Sequence, residues 1–316
     1  MRIRRGAIGG LGGAATAIAL AALAASPPVA PGGGGTPSAA GKLLFTTDRG
    51  PGDDDNIYAM NARGRAIQPL TSGDDDEFGA HWSPNGRKII FLGQGGGDTD
   101  VFKMNADGTG VRNLTDNDTA DFGANFSPNG RFIVYQNEGE DPDGGQEIWR
   151  MRADGSGQRN LSNSESDEFG AHWSPNGEQI VFAARSSADP DNEIFKMDSG
   201  DGGNVRQLTD NDVFDSAPNF SPNGKRIAFV TERDGEDQDI WLMRANGSRE
   251  RPLIQNAVFE DQSPAWSASG KLFAFVRSRS ESEDDQEIFR MRSDGTRKRP
   301  LTDNEADDRA PDWPPR

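Results

Sequence analysis

Apolar and polar residues alternate along this chain in short runs, and the runs recur. The clearest is WSPNGRKIIF, Trp82 to Phe91, where an aromatic is followed by Ser-Pro, an Asn-Gly pair and an alternating apolar stretch. It returns as FSPNGRFIVY from Phe126, WSPNGEQIVF from Trp173, FSPNGKRIAF from Phe220 and WSASGKLFAF from Trp266, and a further copy opens at Trp313. Asn-Gly between two apolar runs marks a tight hairpin, because both residues accept positive φ. Alternation with a period of two predicts strands, and no sustained 3.6-residue period follows residue 25.

Two further markers keep step with the hairpin. A strand of the form acid/amide-apolar-aromatic-x-Met ends at Met60, Met104, Met151, Met197, Met243 and Met291, 44 to 48 residues apart. Each is followed by an apolar-hydroxyl pair such as Leu70-Thr71 or Leu114-Thr115; Leu253-Ile254 is the exception. A period near 45 residues with four short strands is the pattern of a β-propeller blade. In one unit the strands are predicted at Gly79–Trp82, Arg87–Leu92, Asp100–Met104 and Val111–Leu114. Residues 42–46 are a second strand with no first strand before it, and residues 310–313 are a first strand with no second strand after it. Joining them completes a ring. The prediction is an all-β fold, a six-bladed β-propeller of four-stranded antiparallel blades over residues 42–316, closed by N- and C-terminal strands that share one blade. Closure removes the free sheet edges that invite aggregation.

Composition adds the compartment. Arg2, Arg4 and Arg5 precede an apolar, small-residue stretch from Ala7 to Ala25, which predicts a secretory signal peptide over residues 1–25. Residues 26–41, rich in Pro, Gly and Ala, predict a flexible linker. The expected location is secreted, periplasmic or cell-envelope, with no stable membrane insertion once the leader is cleaved. There is no Cys, so thiolate chemistry is excluded. The net charge is −17, and −20 without the three leader arginines. Such a surface repels nucleic acid. In a propeller the loops joining strands two to three and four to one share a face. Most of the 51 acids fall in those loops, while Arg63, Arg65, Arg87, Lys88, Arg112 and Arg159 fall on or near the other face.

The SPNG turn, the strand ending in Met, the Ala-Asp-Gly turn (Ala106-Asp107-Gly108, Ala153-Asp154-Gly155) and the following Leu-Thr resemble the repeats of the TolB C-terminal propeller. Related blades occur in tricorn-type proteases and in prolyl-oligopeptidase-type enzymes. The resemblance covers residues 42–316 and does not extend to the separate N-terminal α/β domain of TolB. It implies the fold, and a binding role of the kind that family plays.

One acid lies five residues before each first-strand aromatic: Glu77, Asp121, Glu168, Asp215, Asp261 and Asp308. Six-fold closure places them as a ring at the channel mouth. Either each carboxylate accepts backbone N–H bonds in its own loop, or the ring binds a cation, with Ca²⁺ suited to an all-oxygen site, or a basic partner. One residue before each aromatic come His81, Asn125, His172, Asn219, Ala265 and Asp312. The polar ones are expected to be hydrogen-bonded beside the channel. His81 and His172 stand two blades apart, so they are expected not to meet, which argues against a His-rich metal site like that of the oligogalacturonate lyases that share this architecture. No nucleophile, base and orienter assemble in the sequence, and there is no G-x-S-x-G elbow. The reading is a monomeric, non-catalytic module that binds a protein or ligand. The alternative is a small polysaccharide lyase or hydrolase using acidic channel residues.

Overall fold

The computed structural model describes residues 41–50, 54–95, 97–139, 145–185, 191–233, 235, 237–279 and 282–315. The predicted leader, and all of the linker except Gly41, lie outside the described residues. Among the described residues, twenty-four strands form six four-stranded antiparallel sheets. Blade 2 runs Glu77–Trp82, Lys88–Gly95, Asp98–Asn105, Arg112–Asn113, and blades 3 to 6 repeat that order over residues 121–160, 167–207, 215–252 and 259–300. Blade 1 is composite. Its first strand is Asp308–Asp312 and the other three are Leu43–Thr47, Asn56–Met60 and Gln68–Pro69. The two ends pair antiparallel, with Leu44 opposite Asp312 and Thr47 opposite Asp308. Trp313 then packs with Leu43, Phe45 and Met60.

First strands of successive blades touch, so they form the inner wall. Each carries a bulge that the alternation did not predict. In blade 2 the register shifts between Phe78 and His81, and in blade 4 between Phe169 and His172. The extra residue takes positive φ: Gly79, Gly123 and Gly170 in blades 2 to 4, and Ala217, Ser263 and Ala310 in blades 5, 6 and 1. A bulge of this kind re-aims the residues beyond it, and it is why the strand begins at Glu77 rather than Gly79.

The core is six separate apolar layers, each lying between two neighbouring blades. Alternate residues of a second strand serve different layers. Ile89 and Phe91 face blade 1, whereas Ile90 and Leu92 face blade 3. Each fully buried Leu, Ile or Phe contributes about 1.5–3 kcal/mol, so stability is spread around the ring. On the turn-bearing face, third-strand cations bind the next blade: Lys103 donates to Ala153 O, Arg150 to Ser199 O at 2.6 Å and Arg290 to Ala62 O at 2.6 Å. The last of these spans the closure between blades 6 and 1.

Candidate functional site

The six acids of the predicted ring occupy one equivalent place per blade, at the start of the innermost strand, and all are 0–4% exposed. The backbone amides of four of them key their blade to the one before it. Glu77 N–H donates to Asp55 O at 2.8 Å, Glu168 to Gln146 O at 2.7 Å, Asp215 to Asn192 O at 2.8 Å and Asp261 to Gln238 O at 2.7 Å. Side chains, more than loop amides, satisfy the carboxylates. Asn117, Asn211, Asn256 and Asn304 donate to Asp121, Asp215, Asp261 and Asp308 at 2.8–3.2 Å. Ser164 donates to Glu168 at 2.8 Å, and Ile148 N–H adds a backbone bond at 3.3 Å.

Three of the carboxylates also hold a guanidinium: Arg49 on Asp308 at 2.6 Å, Arg233 on Asp215 at 2.6 Å, and Arg277 on Asp261 at 2.7 and 2.8 Å. These arginines were missed in the sequence. The signal was present, since each stands at or two residues beyond the second-strand position opposite the acid. Each guanidinium also covers an aromatic cross-strand pair. Arg49 lies 5.2 and 5.6 Å from the Phe45 and Tyr58 rings, Arg233 5.5 and 5.3 Å from Phe229 and Trp241, and Arg277 5.5 and 5.1 Å from Phe275 and Phe289.

Glu77 differs from the rest. Its two carboxylate oxygens are buried and make no hydrogen bond of ordinary geometry. Burial pushes it up to about 7; the nearby Thr71 hydroxyl tempers the shift, and Asp75, Asp76 and Asp54 add to it. Burial likewise pushes Asp121 up to about 6, against the hydrogen bonds from Asn137 and its other donors. Among the described residues, no three His, Asp or Glu side chains converge on a point that a metal ion could occupy.

The channel histidines overturn one expectation. His81 and His172 meet edge to face, ring centroids 5.9 Å apart. Inner strands converge near the axis, and two imidazoles span the gap between blades 2 and 4. The intervening Asn125 is shorter and turns aside to donate to Ala171 O at 3.2 Å. Asn219 does the same to Pro264 O at 3.2 Å. Asp312 accepts the Trp82 N–H at 2.9 Å, and its other oxygen lies 3.5 Å from His81 Nδ1. His172 keeps some accessible surface in the channel, but its desolvated position, with His81 as a second cause, pulls it down to about 3.

A closed six-bladed propeller with a buried carboxylate at the start of each inner strand defines the class of this protein. The TolB beta propeller domain family matches residues 30–190 and 169–316, and the chain belongs to that family. Among solved structures it is similar to TolB from Acinetobacter baumannii, with 20% identity and a TM-score of 0.76 over 89% of this chain and 69% of that one. A protein described as TolB from Agrobacterium tumefaciens gives 21% identity and a TM-score of 0.67 over 84% and 90%. An oligogalacturonate lyase in complex with manganese gives 16% identity and a TM-score of 0.56 over 83% and 73%. At these identities the likeness concerns the fold. No curated protein sequence matches the chain.

Proposed function

We propose that this chain is an extracytoplasmic propeller that binds another protein, and that the partner docks through basic residues on the acidic face. The supporting observation is negative charge held at a cost. Burial pushes Asp55 up to about 6, with Asp76, Asp48 and Asp307 adding to the rise and Arg309 opposing it. Burial also pushes Glu193 up to about 7, with Asp215 adding. Turn formers such as Gly, Ser and Asn would close these loops without that repulsion. A cationic partner offsets the like-charge part of that penalty, gains on-rate from the field and gives binding that weakens with salt. The leader predicted over residues 1–25 supports export, and the family supports a binding role. The working form is a monomer that leaves nucleic acid alone. Immobilised protein exposed to a cell-envelope fraction should retain a basic protein that moderate salt releases. Retention of nothing, or only of material that salt leaves in place, contradicts the reading.

One observation favours a second reading, a polysaccharide lyase or hydrolase. The contact of His81 with His172 beside Asp312 gathers proton-transferring groups in the channel. Incubation with acidic oligosaccharides, with and without Mn²⁺, tests it. Product formation that His172→Asn abolishes would support this reading, and no turnover with either addition would remove it.

A further inference from the structure

All six blades share one arrangement of acid and aromatics. An inner-strand carboxylate lies opposite a second-strand residue, and two positions before that residue is an aromatic paired across to a third-strand aromatic. The aromatic pairs, in blades 1 to 6, are Phe45 with Tyr58, Phe91 with Phe102, Tyr135 with Trp149, Phe182 with Phe195, Phe229 with Trp241 and Phe275 with Phe289. In blades 1, 5 and 6 a guanidinium joins acid to aromatics, through Arg49, Arg233 and Arg277. Blade 2 has the acid, Glu77, and the aromatics, whose rings stack 5.6 Å apart at 22°. In the register of Arg277, opposite the acid, it has Gly93.

Glu77 is therefore a 1% exposed carboxylate beside an aromatic pair of the kind that seats a guanidinium in three other blades; in blades 3 and 4, which also lack the guanidinium, Asn137 and Ser164 bond the acid, whereas both Glu77 oxygens make no hydrogen bond of ordinary geometry. Two glycines adjoin it. A Cβ built on Gly73 would lie 3.9 Å from Glu77 Oε1, and one on Gly93 would lie 3.6 Å from Glu77 Cγ and 3.4 Å from the Phe102 ring. Asp54, Asp75 and Asp76 surround the approach with negative charge. A planar cation that stacks on aromatics and bonds a carboxylate through two N–H groups matches both halves of the seat, whereas a Lys ammonium matches only the charge. The carboxylate lies below the surface, so the group must arrive on a long side chain.

We propose that Glu77, Phe91 and Phe102 seat the guanidinium of an arginine from the docked partner, completing in trans what Arg49, Arg233 and Arg277 complete within their own blades. The proposal rests on the acidic face being a docking surface for a basic protein. It adds which cation that surface selects and where.

The test uses the full chain and three fluorescent Lys-rich peptides that differ at one central residue: Arg, Lys or citrulline. The Arg peptide should bind about tenfold tighter than either twin. Glu77→Gln should remove that preference while leaving the shared Lys-driven binding. Gly93→Arg should also remove it, because the blade then carries its own guanidinium in the register of Arg277, and it should raise the melting temperature. Equal affinity for the three peptides would overturn the guanidinium seat while leaving the docking surface standing. Absence of binding by all three would overturn both. If Gly93→Arg misfolds, the comparison of wild type with Glu77→Gln still decides.

Discussion

A single buried group in this protein can be given a pH signature. Glu77 is raised from 4.5 to about 7 in the folded state, chiefly by burial. Between those values the folded chain binds more protons than the unfolded one, so stability falls as pH rises through that window. Glu77→Gln should flatten the slope and stabilise the protein at pH 8 by up to about 3 kcal/mol, read by urea unfolding across pH. An unchanged slope would mean that the carboxylate is hydrated. His172 works in the opposite sense. It is lowered from 6.5 to about 3, so the unfolded chain takes the proton first and stability is lost as pH falls below about 6.5. His172→Asn should remove that loss, with far-UV signal against pH as the readout. Backbone strain makes a separate prediction. Gly170 sits in the inner-strand bulge at φ 59, and its nearest non-neighbour atoms to a built Cβ lie 3.7 Å away, so space is not the issue. Gly170→Ala should still cost about 1 kcal/mol, because an L-residue is strained at that φ.

At the level of the blade, the sequence displayed the strands and hid the joints. Asn-Gly turns and the evenly spaced methionines are local signals, and they placed every blade. The acid five residues before each aromatic was also visible, but its burial was not. Its partner Arg49 lies 259 residues from Asp308, and Arg277 lies 16 residues from Asp261, so neither pairing is a local pattern. The two histidines came together for a similar reason: their distance depends on the width of the channel, which no stretch of sequence encodes. The joints carry a prediction of their own. Arg277→Met leaves Asp261 buried and stripped of its cation, and should cost about 3–5 kcal/mol. Pairing it with Asp261→Asn should return most of that loss, since the neutral amide needs no counter-charge. Chemical denaturation of the single and double variants measures the coupling, and additive losses would contradict the ion-pair account.

The whole molecule depends on closure. Blade 1 takes its inner strand, Asp308–Asp312, from the other end of the chain. Removing residues 308–316 should therefore open an edge on Leu43–Thr47 and strip Trp313 from the layer it shares with Leu43 and Phe45. The truncated protein should aggregate, and one that stays monomeric with unchanged melting would contradict the closure. The acidic face is proposed to receive a basic partner, and the salt dependence of binding to a simple cationic probe tests this. A fluorescent decalysine peptide should bind the full chain at low ionic strength and lose affinity steadily as NaCl is raised, because the charges on this face are screened over about 10 Å at 0.1 M salt. Replacing Asp74, Asp75 and Asp76 with Asn should weaken the binding, whereas replacing Arg63 and Arg65 with Gln, in the strand three-to-four turn of blade 1, should leave it unchanged. Binding that ignores salt, or that responds equally to changes on either face, would contradict the account.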